Sequence, residues 1–375
     1  MRILAIDVGT GTQDILLFDS TQPVENALQL IMPSPTQIAA GRIRRATEKE
    51  RPIFLTGVIA GGGPCHWALE DHLRSGQKAF ATLEAAATFD DDLENVERIG
   101  VQLVSEDEGR SLNADAIQLR DLDLEAVRDA FTAFDVDTNF DGLALGCLDH
   151  GAAPPGYSDR LFRFDHLRRV VETRNDLRAF AFRPEELPDY LTRARTLVAS
   201  VDSDAPVVFL DTGPAAALGA LQDPTVAASD EQLFLNLGNM HALAFHLRGT
   251  RILSLYEHHT GEVTSEQIED FTKRLLEGTL AHEEVFGSKG HGVYYASKPE
   301  NGDAKLRQPP IAVTGPQRNK LRGSRLNPYF ASPHGDMMVA GCFGLLWAFA
   351  EKYPEHREEI TTALGVAEAD VAAHS

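Results

Sequence analysis

The run Ile6-Asp7-Val8-Gly9-Thr10-Gly11-Thr12-Gln13-Asp14-Ile15-Leu16-Leu17-Phe18-Asp19 constrains this chain most, because it sets a glycine and threonine turn between two apolar runs. Ile3–Ile6 and Ile15–Phe18 have the length and composition of buried strands, and Gly9 and Gly11 permit a tight turn between them. The backbone N–H groups of Gly9 to Thr12 then face an anion. Asp7 sits at the strand end, where a hydrated Mg²⁺ bridges to phosphate. A dinucleotide fingerprint is excluded, since its third glycine position holds Asp14 and the residues that follow read as strand rather than helix. An ordinary hairpin turn is the remaining alternative.

The 375 residues, 43% of them hydrophobic, suffice for about two domains with their own cores. A net charge of -21, with basic residues interspersed among acids, repels polyanions and argues against a nucleic-acid groove. Three cysteines, Cys65, Cys147 and Cys342, are too scattered for a disulfide framework or a metal knuckle, so a reducing compartment is expected. No secretory leader follows Met1, and no apolar stretch reaches about 18 residues, which predicts a cytoplasmic chain without membrane contact.

Strand-like runs at Pro52–Ala60, Gly142–Cys147 and Val207–Leu210 alternate with helical or polar stretches such as Leu124–Phe134 and Phe164–Thr173, a pattern of α/β layers. Leu233–Leu237, Ala242–Leu247 and Arg251–Tyr256, separated by Gly238-Asn239 and Arg248-Gly249, read as a three-stranded meander. Its first turn repeats the N-terminal arrangement. Two such hairpins predict two similar domains facing each other, with a boundary near Ala205. Leu275–Phe286 and Val339–Glu351 read as helices, and the chain after Pro354 as a loosely held helix or tail.

Five segments, in order, resemble the actin-like ATPase superfamily of sugar kinases, heat-shock chaperones and actin. Ile6–Asp19 resembles the first phosphate motif, Val207–Leu221 the first connecting segment and Leu233–Leu247 the second phosphate motif. Ile311–Leu321 resembles the adenosine motif and His334–Phe349 the closing helix. The resemblance implies two RNase H-like domains, residues 1–205 with a large insertion and 206–354, around an interdomain nucleotide cleft, with 355–375 as a tail. The sugar-kinase branch is closest in local pattern. There, the resemblance makes Asp211 the general base toward a substrate hydroxyl, while the residues alone equally allow Asp211 to cap the helix that Gly213-Pro214 opens.

The departures from the superfamily pattern are informative. Asn236 stands where hydrolytic branches have an acidic residue, which favours transfer over hydrolysis, and Gly315-Pro316 replaces a double glycine, with Arg318 placed to stack on adenine or to face solvent. The whole chain also resembles a bacterial and archaeal family labelled "putative pyruvate formate-lyase activating enzyme". That activity needs cysteines in C-x-x-x-C-x-x-C spacing to hold an iron–sulfur cluster, and no such spacing occurs.

On the acceptor side, Asp149, His150, Asp159 and Arg160 follow the Phe140–Cys147 strand and offer paired donors and acceptors to a polar molecule, though loops collect polar residues in any case. Gly61-Gly62-Gly63 allow close approach of a ligand or are simply a flexible turn. Adjacent His258 and His259 point to opposite faces of a strand and are not expected to share an ion; they, with His241, His282 and His291, are read as structural or surface residues, while His241 also lies within γ-phosphate reach. The expectation is an ATP- and Mg²⁺-dependent phosphotransferase acting on a small hydroxylated molecule. Asp7 positions the metal; Gly9, Thr10, Gly11, Thr12, Gly238 and Asn239 hold phosphate; Gly315 and Arg318 meet the adenosine. The alternatives are a nucleotide-dependent switch acting on a protein partner, and a pseudoenzyme of the same fold.

Overall fold

Strand β1 (Arg2–Val8) pairs antiparallel with β2 (Thr12–Asp19) in unbroken register from Arg2–Asp19 to Val8–Gln13, as the apolar pattern and the glycine turn require. The computed structural model describes residues 1–298 and 309–365. On one side β3 (Leu28–Pro33) continues the meander. On the other, β8 (Gly142–Cys147) and β10 (Val207–Asp211) run parallel to β1, and short β9 (Ala181–Phe182) closes the edge. All six residues of β8 are buried, the continuous apolar run expected of a central parallel strand.

The second sheet repeats this plan. Strands β11 (Glu231–Leu237), β12 (His241–Arg248) and β13 (Arg251–His259) form the meander, β15 (Ile311–Thr314) and β16 (Tyr329–Phe330) lie parallel beyond β11, and β14 (Gly292–Tyr295) flanks β13. The orders β3-β2-β1-β8-β10 and β13-β12-β11-β15-β16 match strand for strand, in position and in direction. This is the two-fold RNase H-like architecture of the actin-like ATPase fold.

A third sheet, wholly parallel, is inserted between β3 and β8: β4 (Ile53–Gly57), β5 (Ala79–Ala81), β6 (Val101–Leu103) and β7 (Asp115–Leu119), in the order β6-β5-β4-β7. Its core is separate. In such sheets ligands collect beyond the carboxyl ends of the strands where the order reverses, here between the loops after β4 and β7.

Two helices join the halves. Thr212–Ala220 leaves β10 and packs under β11 and β15 of the second sheet, while Ala340–Lys352, near the chain's end, returns to lie on β1, β8 and β10 of the first. They meet over small residues. A Cβ at Gly219 would overlap the Ala340 carbonyl, and one at Gly344 the Ala215 carbonyl, so only glycine lets the two backbones come this close. One apolar core therefore runs through both halves, from Ala144 and Val208 to Phe234, Phe245 and Phe343.

Several expectations are corrected. Val207–Leu210, placed beyond the boundary near Ala205, pairs with β8 inside the first sheet. Leu275–Phe286 is not one helix: Ser265–Leu276 ends before Gly278, which takes φ +70°, and His282–Gly287 begins anew. The helix over Phe164–Thr173 starts earlier, at Asp159. The segment after Pro354 includes the helix Arg357–Ala363, whose Ile360 joins the core; the rest of the expected tail, 366–375, lies outside the described residues. Among the described residues no helix is long and apolar enough to cross a membrane.

Gly219→Ala and Gly344→Ala are each expected to destabilise the chain by about 1–3 kcal/mol or more through overpacking, measured as a fall in the urea midpoint. A change under about 0.5 kcal/mol in both would show that the helices separate without cost.

Candidate functional site

The tips of the two meanders are built alike. Gly9 donates its amide to the Thr12 carbonyl at 3.0 Å, and Gly238 donates to the His241 carbonyl at 2.9 Å; at each glycine a Cβ would crowd the accepting oxygen. Among the described residues, the amides of Thr10, Gly11, Asn239 and Met240 find no protein acceptor. The tips face each other so closely that a Cβ on Gly11 would overlap the Asn239 side-chain amide. Ser34 ties the first turn to the inserted domain, its amide donating to the Gly11 carbonyl at 3.2 Å and its hydroxyl to the Thr10 carbonyl at 2.7 Å.

Behind the first turn Asp7 is buried, accepting a 2.7 Å bond from the Thr212 hydroxyl. The closing helix reaches it because Gly341 lacks a side chain; a Cβ there would overlap the Asp7 carboxylate. Burial pushes the Asp7 carboxyl up to about 6, with Asp211 adding to the rise and the Thr212 bond opposing it. Asp14, opposite Asp7 in the β1–β2 register, is pushed up to about 8 by burial and by Asp7, and its Oδ1 has no hydrogen-bond partner. Asp14 enters the sequence reading only as the residue that breaks a dinucleotide fingerprint.

Asp211 is not free to act as a base. It caps the Thr212–Ala220 helix through the Gly213 amide at 3.1 Å, and both its oxygens are taken by the fork of Arg163, Nη2 at 3.0 Å and Nη1 closer still. Arg163 has no solvent exposure and also donates through Nε to Glu257 at 3.2 Å. Burial opposes its charge, but Asp211 and Glu257 outweigh that and hold the guanidinium protonated more firmly than usual. Glu257, on the second half, is itself shifted upward by burial.

The adenosine-like segment is folded onto itself. Gly315 takes φ +96°, where a Cβ would meet the Leu237 carbonyl, and its amide points at the Met337 sulfur at 3.1 Å. Arg318 donates to the Gly315 carbonyl at 3.2 Å rather than projecting outward. The Gln317 side-chain amide links this segment to the second turn by donating to Asn239 Oδ1 at 3.3 Å.

A cavity of about 940 Å³ opens beside the first turn, walled by Gly9-Thr10, the inserted sheet's Gly61–Gly63 loop, Asp91 and the loop after β8. On the inserted sheet's side it is lined by residues that follow β4, Ile59–Gly63, and β5, Ala87–Asn95. Arg193 supplies a cation there, held by Asp121 at 2.6 Å and by the Leu148 carbonyl at 2.7 Å; Asp121 in turn accepts from the Gly61 amide at 2.9 Å. Neither Arg193 nor Asp121 stands out in the sequence, because their pairing is purely tertiary.

The expected acceptor residues divide. His150 and Asp159 line the cavity. Asp149 also borders it, but its oxygens accept from the Gly151 and Ala194 amides at 2.8 and 2.9 Å, which makes it a loop clamp. Arg160 does not point there: it donates to the Phe286 and Gly290 carbonyls at 3.1 and 2.6 Å and stacks on the Phe286 ring, joining the halves. Asp91, at the rim, is exposed on one side and crowded on the other; partial burial, then Asp159 and Asp149, raise its carboxyl to about 6.

The histidines, read from the sequence as structural or surface residues, are largely gathered in one place. His150, His241, His259 and His291 come together, with His150 Nε2 3.3 Å from His241 Nε2 and the His259 and His291 ring centroids 4.6 Å apart. His258 faces the other way, toward Ser288, as strand alternation requires. A signal existed: register pairs His241 with His259, and His150 follows the parallel strand next to β1.

The chain belongs to the family described as "Putative pyruvate format-lyase activating enzyme (DUF1786)", whose model matches residues 60–320. Its three cysteines are buried, unpaired and on separate elements, and burial raises each thiol, so they do not supply the cluster ligands which that label implies. No curated protein matches the chain. Among solved structures, the chain is similar over 94% of its length, and 99% of the other's, to "Lmo2764 protein, a putative N-acetylmannosamine kinase" from Listeria monocytogenes, at 11% identity and TM-score 0.34. For the activator of the 2-hydroxyisocaproyl-CoA dehydratase from Clostridium difficile with bound ADPNP the values are 96%, 98%, 10% and 0.35. For the ROK hexokinase from Thermus thermophilus they are 94%, 100%, 13% and 0.32.

Folding raises Asp7 to about 6 and Asp14 to about 8 from an ordinary 3.8, so the folded chain binds more protons than the unfolded one between these limits. Stability from the protonated carboxyls is full below the ordinary value and is lost as pH rises through the folded ones. Asp14→Asn is expected to be more stable than the parent at about pH 8 and to flatten the decline from about pH 4, read by urea unfolding. A parallel pH profile would show that Asp14 is not strained by its charge.

Asp211→Asn keeps the cap but leaves Arg163 short of a counter-charge, and is expected to cost about 3–5 kcal/mol. Near-parental stability, with catalysis alone lost, would restore Asp211 as a base.

Proposed function

We propose that the chain is a cytoplasmic, ATP-dependent phosphotransferase that delivers a phosphoryl group to a small hydroxylated acceptor bound in the 940 Å³ cavity. One observation carries this reading: two turns of identical construction, one from each half, present unpartnered amides to each other beside buried Asp7. Oriented amides of this kind bind phosphate oxygens and stabilise the charge that develops on a transferring group. Thr10, Gly11, Asn239 and Met240 would hold the phosphates, with the Gly315–Arg318 segment toward the adenosine. The carboxylates of Asp7 and Asp14 fit a Mg²⁺ ion, which prefers oxygen ligands and neutralises phosphate charge when bound.

With Asp211 committed to Arg163, the proton of the acceptor hydroxyl falls to Asp91, whose carboxyl near 6 suits a base at neutral pH. Arg193 and the Gly61–Gly63 loop provide donors for an anionic group on the same acceptor. Three free, buried cysteines are in keeping with a reducing compartment.

A second reading, a nucleotide-dependent switch, draws on the close contact of Asn239 with Gly11. Phosphates enter between the turns only if the turns separate, which would change the angle between the halves and the surface offered to a protein partner.

Mg-ATP is expected to bind at one site per chain in calorimetry, and Asp7→Asn to remove the Mg²⁺-dependent part of the affinity. Asp91→Asn is expected to bind nucleotide normally but to lose about 10²-fold or more of acceptor-dependent ADP release. No nucleotide binding by the parent chain would overturn the proposal; binding without acceptor-stimulated release under a panel of polyols and sugar acids would favour the switch.

A further inference from the structure

Four imidazoles from distant segments converge where the second turn meets the loop after β8. One ligand nitrogen from each of His150, His241 and His291 lies within 4.8 Å of the other two. His259 completes the group, its ring centroid 5.0 Å from that of His241 and 4.6 Å from that of His291. Neither ring nitrogen of fully buried His291 has a hydrogen-bond partner among the described residues, nor does Nδ1 of His259. A neutral imidazole always carries one N–H donor and one acceptor, so a buried ring with both unpaired needs an explanation.

We propose that His150, His241 and His291 bind one divalent transition-metal ion, with His259 beside them and a coordination position open to the cavity. Imidazole nitrogens bound at about 2.0–2.1 Å around a tetrahedral ion lie about 3.3 Å apart. His150 and His241 already stand at 3.3 Å, long for an N–H···N hydrogen bond and right for two ligands of one ion. An all-imidazole set suits zinc, copper, iron or nickel; magnesium and calcium take oxygen ligands, so this site is distinct from the carboxylates of Asp7 and Asp14.

Ligation needs neutral imidazoles. Burial first, then neighbouring cations and rings, lowers His150 to about 3 and His241 and His291 well below the ordinary value, so their lone pairs are free of protons at neutral pH. The two guanidiniums that act on His150 and His241 are matched by carboxylates, Arg163 by Asp211 and Glu257 and Arg193 by Asp121. Three protein ligands with a vacant position facing a cavity, which His150, His241 and His259 line, is the pattern of a metal that binds substrate rather than one that only braces a fold. Because the His241 carbonyl closes the second turn, an ion here would also fix that turn.

The test uses full-length chain purified without a histidine tag, stripped with a chelator and titrated with Co²⁺ and Zn²⁺ in the absence of nucleotide. One equivalent of Co²⁺ with the visible bands of a tetrahedral site is expected, displaced by Zn²⁺. His150→Ala and His291→Ala should each weaken binding by about 100-fold or more, while His356→Ala, outside the cavity, should leave it unchanged. Circular dichroism identifies any variant that fails to fold, in which case X-ray absorption of the parent's cobalt edge decides by counting imidazole ligands. Less than about 0.1 equivalent bound by the parent, or fewer than two imidazoles at the ion, overturns the proposal, and so does unchanged affinity in folded His150→Ala and His291→Ala.

Discussion

A single buried guanidinium ties the two halves together. Arg163 rises from the helix after the cavity loop, meets Asp211 at the end of β10, and reaches across to Glu257 on β13 of the second sheet. A charge with no exposure is tolerable only when it is paired and hydrogen-bonded, so the interaction fixes three elements at once. It also decides chemistry. Asp211, expected from the sequence as a base or a helix cap, is here the cap and the counter-ion of Arg163.

The neighbouring crossing of two helices does for packing what Arg163 does for charge. Gly219 and Gly344 let the backbones touch, and each helix then covers the sheet of the opposite half. The core between the halves is shared, and each half adds a separate cluster of its own. The turns at the two tips are consequently held in register by packing well behind them, which is how loops with unpartnered amides keep a defined shape.

Much of this was legible in the sequence. The β1–β2 and β11–β13 meanders follow from apolar runs broken by glycine turns, and the helix Ala340–Lys352 from its apolar face. The inserted parallel sheet was not: β5 and β6 are only three residues each, too short for a periodic signal, and they are specified by tertiary pairing. The site was half legible. Asp7, Gly9 and Gly238 announce themselves by position in a turn, whereas Arg193, Asp121 and Arg163 acquire meaning only from partners far along the chain. The histidines show the limit most sharply. Alternation correctly separated His258 from His259, yet the partners of His259 come from residues 150, 241 and 291, which no local rule connects.

Ser34 bonds to two successive carbonyls of the first turn, so the domain inserted after β3 is fastened to the loop proposed for phosphate. The wall that shapes the cavity and the loop beside it therefore form one mechanical piece. Recognition of a second molecule cannot drift independently of the grip on the first. If the function proposed above holds, directed evolution toward a new acceptor would meet correlated trade-offs, with substitutions in the inserted sheet surfacing as altered nucleotide affinity. Swapping that domain for another would succeed only if the serine latch came with it.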